Sequence, residues 1–231
     1  MYAICKREFL SQFKSVKSII FILIITGMTI MIGNLMSSMP PEMAQEVGLN
    51  NGYVSGLVLF LFFFGPLLVT SLSHDIVNRE TQSRTLRFLV TKTKRDKIIL
   101  GKFFGVLSFW TACLLIALLI ITVFTQSFEI MPFVENLVFL SYCIALSVFL
   151  STIINRPAFS MLIGILLSIA IPVIGVWSMI SKSNIIVNVL SVFTPYYYLN
   201  FSEQPIIGYA TLILTLLLLA SSLLIFRKRD F

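Results

Sequence analysis

Residues 75–102, DIVNRETQSRTLRFLVTKTKRDKIILGK, form a strongly basic segment between two long apolar runs. The segment holds eight of the seventeen lysine and arginine residues in a chain of 231 residues. Its neighbours are apolar enough to cross a membrane, and a simple connector between two such helices would need far fewer charges. A surface that binds a soluble partner would account for more of this charge.

The composition of the whole chain is typical of a membrane protein. Hydrophobic residues make up 58% of the chain. Charged residues make up 12%, about half the fraction found in soluble domains. A soluble core of this length could not bury so many apolar side chains, so lipid is the expected solvent for much of the surface. The net charge of +7 fits either nucleic-acid binding or a membrane protein with basic loops.

Six apolar stretches approach the roughly 20 residues that a membrane-spanning helix requires. None contains a charged residue, and Glu135, just before the fourth, is expected at the lipid headgroups. The first stretch is longer than the apolar part of a signal peptide, so we interpret it as a retained span. We predict an all-α polytopic membrane protein with a single transmembrane domain over residues 1–231. Its predicted spans are residues 19–36, 53–73, 103–125, 136–154, 158–180 and 206–226.

The basic residues lie almost entirely on one side of the predicted spans. Six spans place both termini on the side of residues 75–102, and this side carries sixteen of the seventeen basic residues. By the positive-inside rule both termini are predicted to be cytoplasmic, with the protein in the plasma membrane. This asymmetry leaves no reason to expect nucleic acid as a partner. The opposite side has one basic residue, Lys182, and five acidic ones: Glu42, Glu46, Glu129, Glu135 and Glu203.

The N-terminal segment, residues 1–18, is predicted to lie on the cytoplasmic interface as an amphipathic helix. On a helical wheel most charged residues fall opposite an apolar face, and only Ile4 is misplaced. A frayed basic tail that merely sets the topology is the alternative. The predicted apolar face contains Tyr2, Cys5, Phe9, Leu10 and Phe13, followed by Val16 and Ile20.

On the outer side, residues 181–205 are weakly charged and rich in apolar and aromatic residues. The segment is too short to cross the membrane and return, so short re-entrant or interfacial helices are expected before the last span. Tyr196, Tyr197 and Tyr198 would form an outer aromatic cap at the headgroup level.

Two prolines interrupt predicted spans, Pro66 in the second and Pro172 in the fifth. Each removes a backbone hydrogen-bond donor and favours a kink. Such a kink serves either as a gating hinge or as a static bend, and the sequence leaves both open.

The sequence lacks the residue sets that catalysis or ion-coupled transport would require. His74 is the only histidine, and neither paired intramembrane carboxylates nor a Ser/His/Asp set can be assembled. Ion-coupled carriers usually have ionisable residues within their spans and an internal repeat, and both are missing. The three cysteines match no zinc or redox pattern and are expected as small buried side chains. We therefore predict no catalytic, cofactor or metal site, and any energy for transport must come from a partner.

The basic segment itself is predicted to form a helical hairpin across the cytoplasmic mouth of the bundle. A helix continues the second span to about Val90, with Glu80 and Arg84 spaced for an i,i+4 ion pair. Thr93 and Asp96 have the spacing of a capping box, so a second helix is expected to begin there and lead into the third span. Such a hairpin has the shape of a plug for a groove in a soluble protein.

This loop resembles the first cytoplasmic loop of permease subunits of type-2 ATP-binding-cassette transporters, which has a pattern like RE…GT…LL…P…R…I…GK. The matching positions are Arg79-Glu80, Thr85-Leu86, Leu89, Arg95, Ile98 or Ile99, and Gly101-Lys102. The FTPYYYL stretch at 193–199 is similar to the family's proline-aromatic element. Two positions depart from the pattern: Arg84 stands in place of the usual glycine, and Lys92 or its neighbours in place of the usual proline.

The resemblance implies that the hairpin is a coupling helix that docks on a separate ATPase subunit. Two permeases, identical or sister subunits, would assemble with two ATPases that bind ATP and Mg²⁺. Glu80 would either contact the ATPase or staple the loop internally. The residues implied in coupling are Arg79, Glu80, Arg84, Thr85, Arg87, Lys92, Lys94, Arg95, Asp96 and Lys97.

The function expected from this resemblance is that of an exporter permease without enzymatic activity of its own. Its uncharged spans favour an amphipathic or hydrophobic substrate, such as an antimicrobial or toxic peptide or a lipid-like molecule. The alternative is a non-transporting membrane scaffold or sensor whose basic loop recruits a soluble regulator. A loop held only by lipid headgroups is the simplest alternative for the segment itself.

Overall fold

The computed structural model describes residues 1–38, 52–126, 130–180, 184–199 and 208–229. These residues form helices and turns without any strand, which confirms the all-helical prediction for this part of the chain. Lys182, Glu42, Glu46, Glu129 and Glu203 lie outside the described residues. The helices are α1 (Tyr2–Phe13), α2 (Val16–Ser37), α3 (Gly52–Ser73), α4 (Asn78–Gln82), α5 (Leu86–Lys92), α6 (Arg95–Thr125), α7 (Ile130–Ile153), α8 (Pro157–Ile180), α9 (Ile185–Ser191), α10 (Pro195–Leu199) and α11 (Thr211–Lys228).

Five of these helices, α3, α6, α7, α8 and α11, are long and apolar enough to cross a membrane. Helix α2 contains a shorter apolar run, Ile19–Leu35. The structure thus supports a multi-pass membrane protein and accounts for five of the six predicted spans. Helix α7 begins at Ile130, earlier than predicted, so Glu135 lies partly buried inside a helix rather than before one.

Helices α3, α6 and α7 form the centre of the bundle, where side chains such as Leu61, Val106 and Ile144 are fully buried. Because lipid is as apolar as these side chains, close packing and hydrogen bonds between helices must supply most of the association energy. Helix α8 illustrates both, since Gly164 packs against Thr70 of α3 and the Ser160 hydroxyl donates to the carbonyl oxygen of His74, directly after α3. Its opposite face carries exposed apolar side chains and is suited to lipid.

The N-terminal helix, the basic loop and the C-terminal segment meet at one end of the bundle. Lys102 at the loop end contacts Glu8 of α1 at 2.9 Å. Arg229, after α11, donates a hydrogen bond to the carbonyl oxygen of Thr152 on α7 at 2.7 Å. The segments with most of the positive charge are therefore neighbours in space.

Helix α1 differs from the prediction in length and in the face that it buries. It ends at Phe13, well before residue 18. Ile4, which the helical wheel left misplaced, is buried together with Glu8. Tyr2 and Leu10 of the predicted apolar face are exposed instead. The prediction fails here because α1 packs on helix α6, and the shape of that neighbour sets the buried face.

Candidate functional site

The loop between α3 and α6 consists of two short helices, two turns and an extended link at 93–94. The prediction of one helix continuing to about Val90 is wrong, because turns at 74–77 and 83–85 interrupt it. The first turn is anchored to α7, where the Ser151 hydroxyl accepts hydrogen bonds from the backbone N–H groups of Val77 (2.9 Å) and Asn78 (3.1 Å). These bonds pair two N–H donors that the start of α4 leaves inside the bundle.

The second turn is made by Arg84, whose φ of 57° lies in the left-handed region. Glycine adopts this conformation without penalty. This explains why the permease loop pattern that the chain resembles usually has glycine at this position. The predicted ion pair between Glu80 and Arg84 is absent, because Arg84 lies outside helix α4. Glu80 is paired instead with Arg7 and Lys102.

We predict that Arg84→Gly is more stable than Arg84→Ala by about 1 kcal/mol, since only glycine relieves the left-handed backbone. Both substitutions remove the same guanidinium group, so alanine is the matched control for lost charge. Thermal unfolding of the two variants in lipid nanodiscs measures the difference. Equal stability would show that the turn does not hold residue 84 in this conformation.

The junction between α5 and α6 is also organised differently from the prediction. Helix α6 begins at Arg95 without a side-chain cap, so the Thr93–Asp96 capping box does not form. Asp96 binds Arg227 in a bidentate ion pair of 2.7 and 2.5 Å. Arg95 donates to the carbonyl oxygens of Arg227 (2.6 Å) and Arg229 (2.8 Å), and a cation there is favourable at the end of α11. Local spacing could not indicate these partners at the far end of the chain.

Four charged side chains, Arg7, Glu8, Glu80 and Lys102, meet beneath the loop and form what we call the charge cluster. The Lys102 ammonium lies 2.9 Å from Glu8 and 3.0 Å from Glu80. Arg7 pairs with Glu8 at 3.1 Å and also with Glu80. The cluster therefore joins α1, α4 and α6 through two positive and two negative groups.

Because the cluster is buried, the stability of the protein is sensitive to the loss of any one of its charges. The side chains of Lys102 and Glu8 are only 1% and 5% exposed. Burial alone would raise the pKa of Glu8, but Lys102 and Arg7 outweigh it and hold this pKa below its ordinary value. Removing one member of such a set leaves an uncompensated buried charge, which costs far more than an exposed ion pair contributes.

Two glycines on α6 allow α1 to approach closely enough for this pairing. A Cβ at Gly101 would lie 3.1 Å from the Ile4 side chain, and one at Gly105 would lie 2.7 Å from Cβ of Glu8. Lys102 follows Gly101 directly, so the close approach brings Glu8 to its ammonium group. Glu8 and Arg7 were not among the predicted site residues. The available signal was that Glu8 is the only acidic residue before residue 42.

The ten predicted coupling residues fall into two groups. Glu80, Arg95 and Asp96 bind other parts of the chain, as described above. The other seven lie on the exposed side of the loop: Arg79, Arg84, Thr85, Arg87, Lys92, Lys94 and Lys97. Phe88 lies among them and is 75% exposed, whereas Leu86 on the opposite side of α5 is buried. Helix α5 therefore presents a basic ridge with an aromatic side chain.

The predicted gating prolines and aromatic cap lie away from the loop. Pro66 and Pro172 are both buried within helices, α3 and α8. Tyr197 and Tyr198 are partly exposed, but Tyr196 is fully buried and its hydroxyl binds the carbonyl oxygen of Phe62. Tyr196 is therefore not part of an exposed aromatic cap, because its ring is buried and its hydroxyl has a protein partner.

Comparison with known protein families matches residues 2–231 with the family described as ABC-2 family transporter protein. The match extends over nearly the whole chain. The chain belongs to the ABC-2 transporter family. A search of curated proteins gave no match. Membership identifies the chain as a membrane permease of a transporter that associates with a separate ATPase subunit.

In this ABC-2 permease, two motif residues separated by the whole loop meet in the charge cluster. Glu80 belongs to the Arg79-Glu80 pair and Lys102 to the Gly101-Lys102 pair, and they are 3.0 Å apart. The ion pair of Glu80 therefore fixes the loop to the first turns of α6. Within the described ranges, no group of three or more potential metal ligands occurs.

Proposed function

We propose that this chain is the permease subunit of an ATP-driven exporter of amphipathic or hydrophobic molecules, such as toxic peptides or lipid-like compounds. Support for the substrate class comes from the long helices, whose exposed faces are largely apolar. Two permease copies, or one copy and a sister subunit, would enclose the path. ATP and Mg²⁺ would be bound by two ATPase subunits.

The proposed topology has six spans with both termini in the cytoplasm. These are α2 and the five long apolar helices described above. Helix α2 has 22 residues, a length of about 33 Å, which matches the hydrocarbon core of a bilayer. The contacts between α1, the loop and the C-terminal segment support an even number of crossings. Sixteen basic residues on this side support its cytoplasmic placement.

Helix α5 is proposed as the coupling helix, and its exposed ridge is the observation on which this proposal depends. Arg87 and Lys92 flank Phe88 on the side that faces away from the bundle. An apolar ring among cations fits an acidic groove with an apolar floor on the ATPase. Buried Leu86 would transmit movement of α5 to the bundle, and the charge cluster would transmit it to α1 and α6.

Charge reversal on α5 tests this assignment. We predict that Arg87→Glu with Lys92→Glu weakens binding of the ATPase subunit at least tenfold, because two attractive contacts become repulsive. Lys6→Glu with Lys14→Glu is the matched control, since these exposed cations lie on α1 and directly after it, and their reversal changes the net charge equally. Co-purification of both subunits from nanodiscs measures the binding. Equal weakening by both pairs would contradict a docking role for α5.

Transport by the reconstituted complex tests the function itself. Inside-out vesicles containing the permease and its ATPase should accumulate an amphipathic peptide or a fluorescent lipid when ATP is supplied. Vanadate should block this accumulation, and the α5 reversal should remove it. Binding of a soluble protein without ATP-dependent transport of any probe would favour the scaffold.

A further inference from the structure

Helix α3 contains a break in its backbone hydrogen-bond ladder at Pro66, and another helix supplies the missing donor. Pro66 has no N–H group, so α3 cannot supply the usual donor for the carbonyl oxygen of Phe62, four residues earlier. The Tyr196 hydroxyl lies 2.5 Å from this oxygen and donates a hydrogen bond to it. A side chain of α10 thus replaces the backbone donor that proline removes.

Tyr196 is held in place by three helices at once. Its ring meets Phe62 of α3 edge to face at a centroid distance of 4.3 Å and Phe139 of α7 at 5.6 Å. On α8, a Cβ at Gly175 would lie 2.4 Å from Cβ of Tyr196, so only glycine leaves room for the tyrosine. The fully buried ring therefore has one well-defined seat.

A second set of polar contacts holds α3 and α8 together next to Pro66. The Ser168 hydroxyl donates to the carbonyl oxygen of Pro66 at 3.0 Å and accepts from the Thr70 hydroxyl at 2.8 Å. Pro172 lies one turn after Ser168 on α8. Both prolines therefore lie close to the contact between these helices, where a bend in α3 changes its packing on α8.

We propose that Tyr196 acts as a latch between α10 and α3. Movement of α10 away from its packed position and bending of α3 at Pro66 then occur together, as one coupled event. If Tyr196 moves away alone, the Phe62 oxygen loses its donor in apolar surroundings, which is unfavourable. If α3 bends alone, the oxygen moves away from the hydroxyl with the same result. This coupling sets the position of α10 and, with it, the packing of the helices at the end of the bundle opposite the basic loop.

A double-mutant cycle tests the hydrogen-bond exchange. Tyr196→Phe should lower the Tm by about 4 °C in the natural chain and by less than 1 °C in Pro66→Ala, because alanine supplies the missing N–H. Tyr142→Phe is the matched control, since its hydroxyl binds the carbonyl oxygen of Phe193 and lines the same small cavity as Pro66. It should cost the same in both backgrounds. Pro66→Gly, which also restores the N–H, replaces Pro66→Ala if that variant fails to fold.

The native thiol of Cys143 reports the movement, because Cys143 is buried and lines this cavity with Pro66 and Pro195. In a Cys5→Ser, Cys113→Ser chain, Tyr196→Phe should raise the labelling rate of Cys143 by a membrane-permeant maleimide at least fivefold. Adding Pro66→Ala should return the rate to that of the parent. Equal Tm losses in both backgrounds, or an unchanged labelling rate, would overturn the latch. Neither measurement needs an ATPase or a substrate, so failure here leaves the export proposal intact.

Discussion

Replacing Lys102 with methionine is expected to lower the free energy of unfolding by about 3–5 kcal/mol, because it leaves two buried carboxylates with one cation. Glu8 and Glu80 both lie within 3.0 Å of the Lys102 ammonium, and Arg7, the remaining cation, has a half-exposed side chain. Methionine keeps the length and apolar character of the lysine stem, so packing changes little. Thermal unfolding in nanodiscs and ATP-dependent transport should both show the loss.

A second substitution separates charge from shape. Lys102→Met with Glu8→Gln leaves a balanced Arg7–Glu80 pair, and we expect it to recover more than half of the lost stability.

The pH dependence of stability gives an independent readout. In the natural chain the pKa of Glu8 is lowered, so its stabilising contribution is complete above about pH 4.5 and is lost as the pH falls through the lowered pKa. In Lys102→Met the deficit should instead shrink on acidification, because protonation relieves the unpaired carboxylates. A deficit independent of pH and of Glu8→Gln would show that Lys102 acts through packing alone.

The sequence predicted the all-helical, multi-pass class of this fold, because the length of an apolar run is a property of a single segment. It also directed attention to one loop, since the basic residues and the family pattern both lie within residues 75–102. It could not show that Glu80 meets Lys102, because that contact depends on two turns, one of which requires the left-handed backbone of Arg84. The helical pattern of residues 75–90 favoured one continuous helix, and contacts with α7 overrode it.

The remaining differences have a common physical origin in neighbours distant along the chain. Asp96 had the spacing of a cap, but the bidentate geometry of Arg227 provides a stronger partner. Tyr196 had the composition of an interfacial aromatic residue, but the Phe62 carbonyl oxygen offered its hydroxyl a buried acceptor. In each case the side chain makes the type of interaction expected of it, but its partner is distant along the chain and could not be identified from local spacing.

Replacing Gly105 with valine is expected to unseat α1 and to lower the free energy of unfolding by about 3 kcal/mol, combining overpacking with a weakened buried ion pair. A Cβ at this position would lie 2.7 Å from Cβ of Glu8 and 2.9 Å from the carbonyl oxygen of Cys5. Because the second atom belongs to the backbone, no side-chain rotation relieves the contact, and the whole of α1 must shift. That shift moves Glu8 away from Lys102.

Gly27→Val on α2 is the matched control, since a Cβ at Gly27 meets nothing within 4 Å. Both variants place valine in a helix, so their difference isolates the contact with α1. The partly buried thiol of Cys5 reports the position of α1, and its labelling rate should rise severalfold in Gly105→Val and stay unchanged in Gly27→Val. If the two variants lose equal stability and label alike, α1 does not depend on Gly105 for its seat. If Gly105→Val alone releases Cys5, the buried face of α1 is set by the shape of α6, and Glu8 reaches Lys102 because glycine leaves room for it.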